Sequence, residues 1–336
     1  MRLDAASFAI HDKTGAQLGT IECPESFSWS RELNEVSKLT LTAPIQELAE
    51  VVTPWAHWVS CWHGTSLQWF GVVVDPIRSR TAMSIEAMDV SRLMWETRTL
   101  TTKQWRQMDV APIAADMWRE MLDLHGVSAD PIVLPSRTES RFDFAVKSDL
   151  KMLHQEMSEL SKLGLRWTVV RGRPVLGNQP AAPAAELEEC HMAEGIQIRR
   201  SGRGVKTDVR VQGKNGAFTE RRELGGLVLQ SIVNLDDLFG VSNIQRAAAD
   251  YVKRTARIRD ELVVPASSTL TADAPIELDD LVPGINLSVS ALGLRTVLRV
   301  DQVQVAGSPT GTDVALTLST PDNLSELEQA GGRVAN

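Results

Sequence analysis

A change of hydrophobic period, from two to helical and back to two, constrains this chain more than any other feature. In 36–44, Ser37, Leu39, Leu41 and Ala43 point one way and Lys38, Thr40 and Thr42 the other, the pattern of a half-buried strand. Phe8 and Ile10 alternate with polar neighbours, Thr14-Gly15 makes a turn, and 17–21 returns. Residues 55–74 read as a hairpin, with strands near 57–62 and 67–74 joined by His63-Gly64-Thr65-Ser66, and 83–89 as a further strand. Residues 1–100 are therefore predicted to be β.

Residues 101–177 switch period. Asp109 suits a helix N-cap, Pro112 its first turn and Gly126 its left-handed stop. Ile113, Met117 and Met121 make the apolar stripe between them, at i, i+4 and i+8. A second helix is predicted from Ser148 to Gly164, with Leu150, Leu153, Met157 and Leu160 on one face. A hairpin follows, turning at 171–174. The Pro- and Ala-rich stretch 178–189 has no hydrophobic face and reads as a linker.

From Gly195 the period returns to two. Strands are predicted in 195–202, 206–214, 225–233, 261–265, 284–290, 294–305 and 313–319. One helix interrupts them: Ser242 and Gln245 stand at capping-box spacing, and Ile244, Ala248, Tyr251 and Val252 share a face. Many short strands with little helix favour a barrel or a sandwich. The tail, 321–336, is acidic, with room for one short helix.

Composition bounds the class. With 336 residues, 43% hydrophobic and 23% charged, the chain is globular rather than disordered, and long enough for two or three domains. All nine Trp fall between positions 29 and 167, so the two β regions are filled differently. A net charge of −8 argues against general affinity for duplex nucleic acid. Residues 196–260 are the exception, with 13 basic and 7 acidic groups. They lack the interleaved aromatics of a nucleic-acid surface, so Arg199, Arg200, Arg203, Arg210, Arg221, Arg222, Arg246, Lys253, Arg254, Arg257 and Arg259 read as an assembly interface meeting acidic surfaces of the same or a neighbouring subunit. Cys23, Cys61 and Cys190 are too few and too scattered for a disulfide framework. The N-terminal stretch lacks the apolar core of a signal peptide, and no run approaches the ~20 apolar residues of a membrane span. These features predict a soluble chain made in a reducing cytoplasm, with no membrane anchor.

No motif survives as chemistry. His57, Cys61 and His63 share the parity of one strand face, but a zinc site needs a fourth ligand, and a strand buried through Trp58 and Trp62 explains the segment. Ser148-Asp149-Leu150-Lys151 matches an S-x-x-K pattern without its companion motifs, so Ser148 reads as a helix cap. SGRGVKT (201–207) lacks the ending of a phosphate loop. Asp236-Asp237 and Asp279-Asp280 lack calcium-loop spacing and read as solvated turns. No catalytic residue, metal ligand or cofactor site is predicted, and the chain reads as non-enzymatic.

The remaining pattern is a family resemblance. RELNEVSKLTLTAP (31–44) followed by LQWFGVVVDP (67–76) resembles the opening of minor tail proteins from long-tailed phages of actinobacteria. TDVRVQGK (207–214), GVSNIQRAAADYVKRTAR (240–257) and LVPGINLSVS (281–290) resemble the last domain of the tail-tip, or baseplate, hub family. There, a strand ending V-x-V-x-G precedes a helix, and an L-x-P-G turn enters a further strand. The resemblance implies a mainly β fold with an α+β insert. In it a β-barrel domain (1–100) and a second β-barrel domain with one helix (186–320) flank a small α+β domain (101–185), before the tail (321–336). It further implies a homotrimer forming a pseudo-sixfold ring at the virion tail tip, assembled in the host cytoplasm. Such a ring adapts the tail tube to the tip fibre. Its neighbours would be the distal tail protein, the tape measure and the central fibre, and DNA would pass through its channel without specific binding. The alternative is a host-surface glycan-binding module built on the Trp-rich half, and a third class is a cell-wall hydrolase.

Overall fold

The computed structural model describes residues 6–45, 52–136, 141–193, 195–202, 204–235, 238, 240–263, 269–291, 294–309, 311–319 and 321. The first β region contributes β1 (Ala6–Asp12), β2 (Gln17–Ile21), β3 (Ser26–Glu32), β4 (Lys38–Pro44), β5 (His57–His63), β6 (Ser66–Arg78) and β7 (Ala82–Asp89). A 3-10 turn, Val90–Trp95, leads to β8 (Lys103–Met108), α1 (Val110–His125), β9 (Ile132–Val133), β10 (Phe142–Val146), α2 (Leu153–Lys162), β11 (Trp167–Val170) and β12 (Arg173–Leu176). The rest supplies β13 (Pro183–Glu188), β14 (Gln197–Ser201), β15 (Asp208–Gly213), β16 (Gly216–Arg221), β17 (Gln230–Leu235), α3 (Val241–Thr255), β18 (Arg259–Val263), β19 (Asn286–Ala291), β20 (Leu294–Ser308) and β21 (Gly311–Ser319).

The barrels implied by the resemblance are not there: no sheet closes among the described residues. One open eleven-stranded sheet runs β13-β19-β20-β3-β4-β7-β6-β5-β1-β2, with β21 also on β20. It joins the two ends of the chain. β20 is long enough to serve both: residues 294–299 pair with β19 and 302–307 with β3, where Val303 faces Arg31 and Val305 faces Trp29. A period of two specifies which face of a strand is buried, but not which strand lies beside it. That is why barrel closure could not be read from the alternation. β14 pairs with β18, and β16-β15-β17 form a small sheet of their own, with α3 buried alongside Val209, Val211 and Val233.

Two hydrophobic cores result. One gathers Phe8, Trp29, Leu39, Val59 and Ile85 with Leu287, Leu298, Val303 and Leu316 from the C-terminal strands. The other gathers Trp118, Met121, Leu160 and Trp167 of the α+β region with Val209, Val233, Ile244 and Ala248. β5 and β6 are buried on both faces between them, since Val59 and Val73 belong to the first core and Trp58 and Val72 to the second.

Local signals hold where they are strongest. Asp109 caps α1 by accepting from the Ala111 N–H at 3.2 Å, and Gly126 ends it at φ 67°. Elsewhere tertiary contacts override them. α2 begins at Leu153 instead of after Ser148, because 148–151 is drawn into pairing with Thr99. Asp149 N–H donates to the Thr99 carbonyl at 2.9 Å and Thr99 N–H to the Lys151 carbonyl at 2.9 Å, leaving Leu150 64% exposed. α3 starts from Gly240, so Ser242 lies in its first turn rather than at its cap. The expected linker at 178–189 contains β13, which runs parallel to β19 with Glu186 beside Ser288. Of the predicted strand 261–265, positions 264 and 265 lie outside the described residues, as does the tail beyond Pro321.

Candidate functional site

The histidine and cysteine side chains of β5 serve the fold. His57 Nδ1 accepts from the Thr53 N–H at 3.0 Å, and the buried His63 ring lies 6.4 Å from Phe27. Burial pushes the Cys61 thiol well above its ordinary range, which makes it inert as a nucleophile. No group of three His, Cys, Asp or Glu that could hold a metal occurs among the described residues. Ser148 Oγ is 3.2 Å from Thr102 Oγ1, while Lys151 pairs with Glu159 at 2.6 Å, so the S-x-x-K residues serve different partners. The 201–207 stretch leads into β15, a strand, rather than a helix. Asp236-Asp237 lies outside the described residues. No helix among them is long and apolar enough to cross a membrane.

The aromatic wealth of the first half is core. Trp29, Trp58, Trp69, Trp105, Trp118 and Trp167 are buried, and Trp58 stacks on Phe70 with centroids 5.2 Å apart. Trp95 stacks on His154 at 4.9 Å, and Trp62 Nε1 donates to Ser60 Oγ at 2.8 Å. Trp55 is the exposed one, at 44%, with the Arg92 guanidinium 5.9 Å from its ring centre.

The basic stretch divides. Arg246 donates to Asn243 Oδ1 at 3.0 Å, Arg254 to the Lys162 carbonyl and Arg257 to the Pro321 carbonyl. Arg210, Arg221 and Arg222 are exposed and enter no ion pair among the described residues. The side chains of Arg199, Arg203 and Arg259 lie outside them.

Two features were not legible as sites. The first is a polar junction around Asp279, which is no free solvated turn. Its carboxylate accepts from Ser66 Oγ at 2.9 Å and Gln68 Nε2 at 2.5 Å, and pairs with Arg171 Nη2 at 2.9 Å. Partial burial pushes the carboxyl up, but the hydrogen bonds from Gln68, Ser66 and Arg171 more than offset this and hold it below the usual range. Behind it lies Arg31, fully buried and held down to about 10 by burial and by Arg171, with Asp279 opposing.

The second is an apolar ridge beside the small sheet. Leu227 (71%), Val228, Leu229 and Ile232 (68%) are exposed, although their sequence reads simply as a strand. The ridge follows a left-handed Gly225-Gly226 turn. Buried Thr207 pins it: its N–H donates to the Leu229 carbonyl at 2.9 Å, its Oγ1 accepts from Leu229 N–H at 2.9 Å and donates to the Leu227 carbonyl at 3.2 Å. Ile232 lies beside Arg210 in the ladder.

The fold is similar to that of the tail protein from Neisseria meningitidis MC58, with a TM-score of 0.68 and 12% identity over 96% of this chain and 98% of that one. It is also similar to the 43 kDa tail protein of prophage MuSo2 from Shewanella oneidensis, with a TM-score of 0.62 and 12% identity over 94% and 98% of the two chains. A third similar structure is the E. coli c3393 protein, a component of the type VI secretion system with structural similarity to the T4 bacteriophage tail proteins gp27 and gp5. There the TM-score is 0.54 and the identity 12%, over 94% of this chain and 76% of that one. No family model matches the sequence, and no curated protein matches it. At such identity the likeness is one of fold.

Proposed function

We propose that this chain is a non-enzymatic structural component of a phage tail tip, a baseplate hub of a long-tailed phage of the actinobacterial group. The observation that carries the reading is the fold shared with two tail proteins over at least 94% of this chain and 98% of each of theirs. Fold alone does not assign function, but the side chains point the same way, because the candidate reactive groups are spent on packing and turns. In this reading three copies assemble into a ring at the virion tail tip. The ring adapts the tail tube to the tip fibre and contacts the distal tail protein, the tape measure and the central fibre. Its net acidic character lets DNA pass without sticking, since cations on phosphate are what hold DNA. The glycan-binding alternative drew on the Trp-rich half, and most of those rings are core.

Light scattering on the purified chain, paired with negative-stain microscopy, tests this. Trimer mass and ring-shaped particles are expected. A strictly monomeric protein at high concentration, with no ring, overturns it. Clearing of host peptidoglycan by the pure protein would overturn the non-enzymatic part.

A further inference from the structure

We draw no further inference here: the strongest candidate, the exposed apolar stretch Leu227, Val228, Leu229 and Ile232 beside the small sheet, carries nothing, because the arginines around it are interleaved with Asp208 and Glu223 and nothing in the structure shows what covers it.

Discussion

Arg31 and Gln68 grip each other inside the protein: Nη2 of the arginine donates to both the main-chain oxygen, at 2.9 Å, and Oε1, at 2.8 Å, of the glutamine. Nη1 donates to the carbonyls of Leu278 and Leu281, each at 3.0 Å. Gln68 then passes a hydrogen bond to Asp279, which Arg171 also reaches. A strand from each end of the large sheet's middle, β3 and β6, is thereby fastened to the turn before β19 and to the β11–β12 turn.

Replacing Arg31 removes four buried hydrogen bonds at once. We expect Arg31→Met to cost about 3–5 kcal/mol, the range for breaking a buried polar network by removing one partner. Arg31→Lys should recover only part of this, because one ammonium cannot serve carbonyls lying on two sides of a planar fork. Urea midpoints for the three chains check it. A wild-type midpoint in Arg31→Met would show that the junction contributes nothing to stability.

Asp89 sets a pH dependence. Its Oδ1 accepts from the Ser91 N–H at 2.8 Å and from the Ser91 hydroxyl, and its Oδ2 accepts from the Ser37 N–H at 3.0 Å. Burial raises the carboxyl to about 6, against 3.8 unperturbed, with the hydrogen bonds from Ser91 and Ser37 opposing. Because the folded value is the higher one, the folded state binds this proton more tightly. Its contribution is therefore fully present below the unfolded value of 3.8 and is lost as pH rises through about 6, for a total of at most about 3 kcal/mol. Denaturant unfolding from pH 4 to 7 should show the wild type losing stability relative to Asp89→Asn across that window. Parallel pH profiles would rule the titration out.

Gly177 and Gly15 separate backbone strain from steric conflict. Both have positive φ, 108° and 86°, but a Cβ on Gly177 would lie 2.0 Å from the Leu134 carbonyl oxygen, whereas one on Gly15 meets nothing within 4 Å. Gly15→Ala should cost about 1 kcal/mol from conformation alone. Gly177→Ala adds a clash with backbone, and should cost about 3 kcal/mol or more. Thermal and urea denaturation of the two variants give the comparison, and equal losses would contradict it.

Much of the local structure was legible. Asp109 and Gly126 mark the ends of α1 because caps act through the nearest turn. The alternation in 36–44 reports the buried face of β4 because side chains on a strand necessarily point to opposite sides. His57, Cys61 and His63 do lie on a strand, but β5 is not buried through Trp58 and Trp62 alone: Cys61 and His63 are buried as well, while Trp62 is half-buried. The start of α2 was missed, since Thr99 competes for the main chain of 148–151. β13 was missed because Pro and Ala carry little β signal, and an edge strand needs only one neighbour to accept it.

Which residues pair across the molecule was settled by tertiary structure. β20 bridges β19 and β3, so the two ends of the chain share a sheet in place of two barrels, and alternation along a strand carries no label for the strand beside it. Exposure followed the same rule. Leu227 and Ile232 have the composition of core residues, and Arg31 that of a surface one, yet their burial is reversed. A side chain's own chemistry sets what it costs to bury or expose it. Only the packed neighbours, here Gln68, Leu278 and Leu281 around Arg31, decide whether that cost is met.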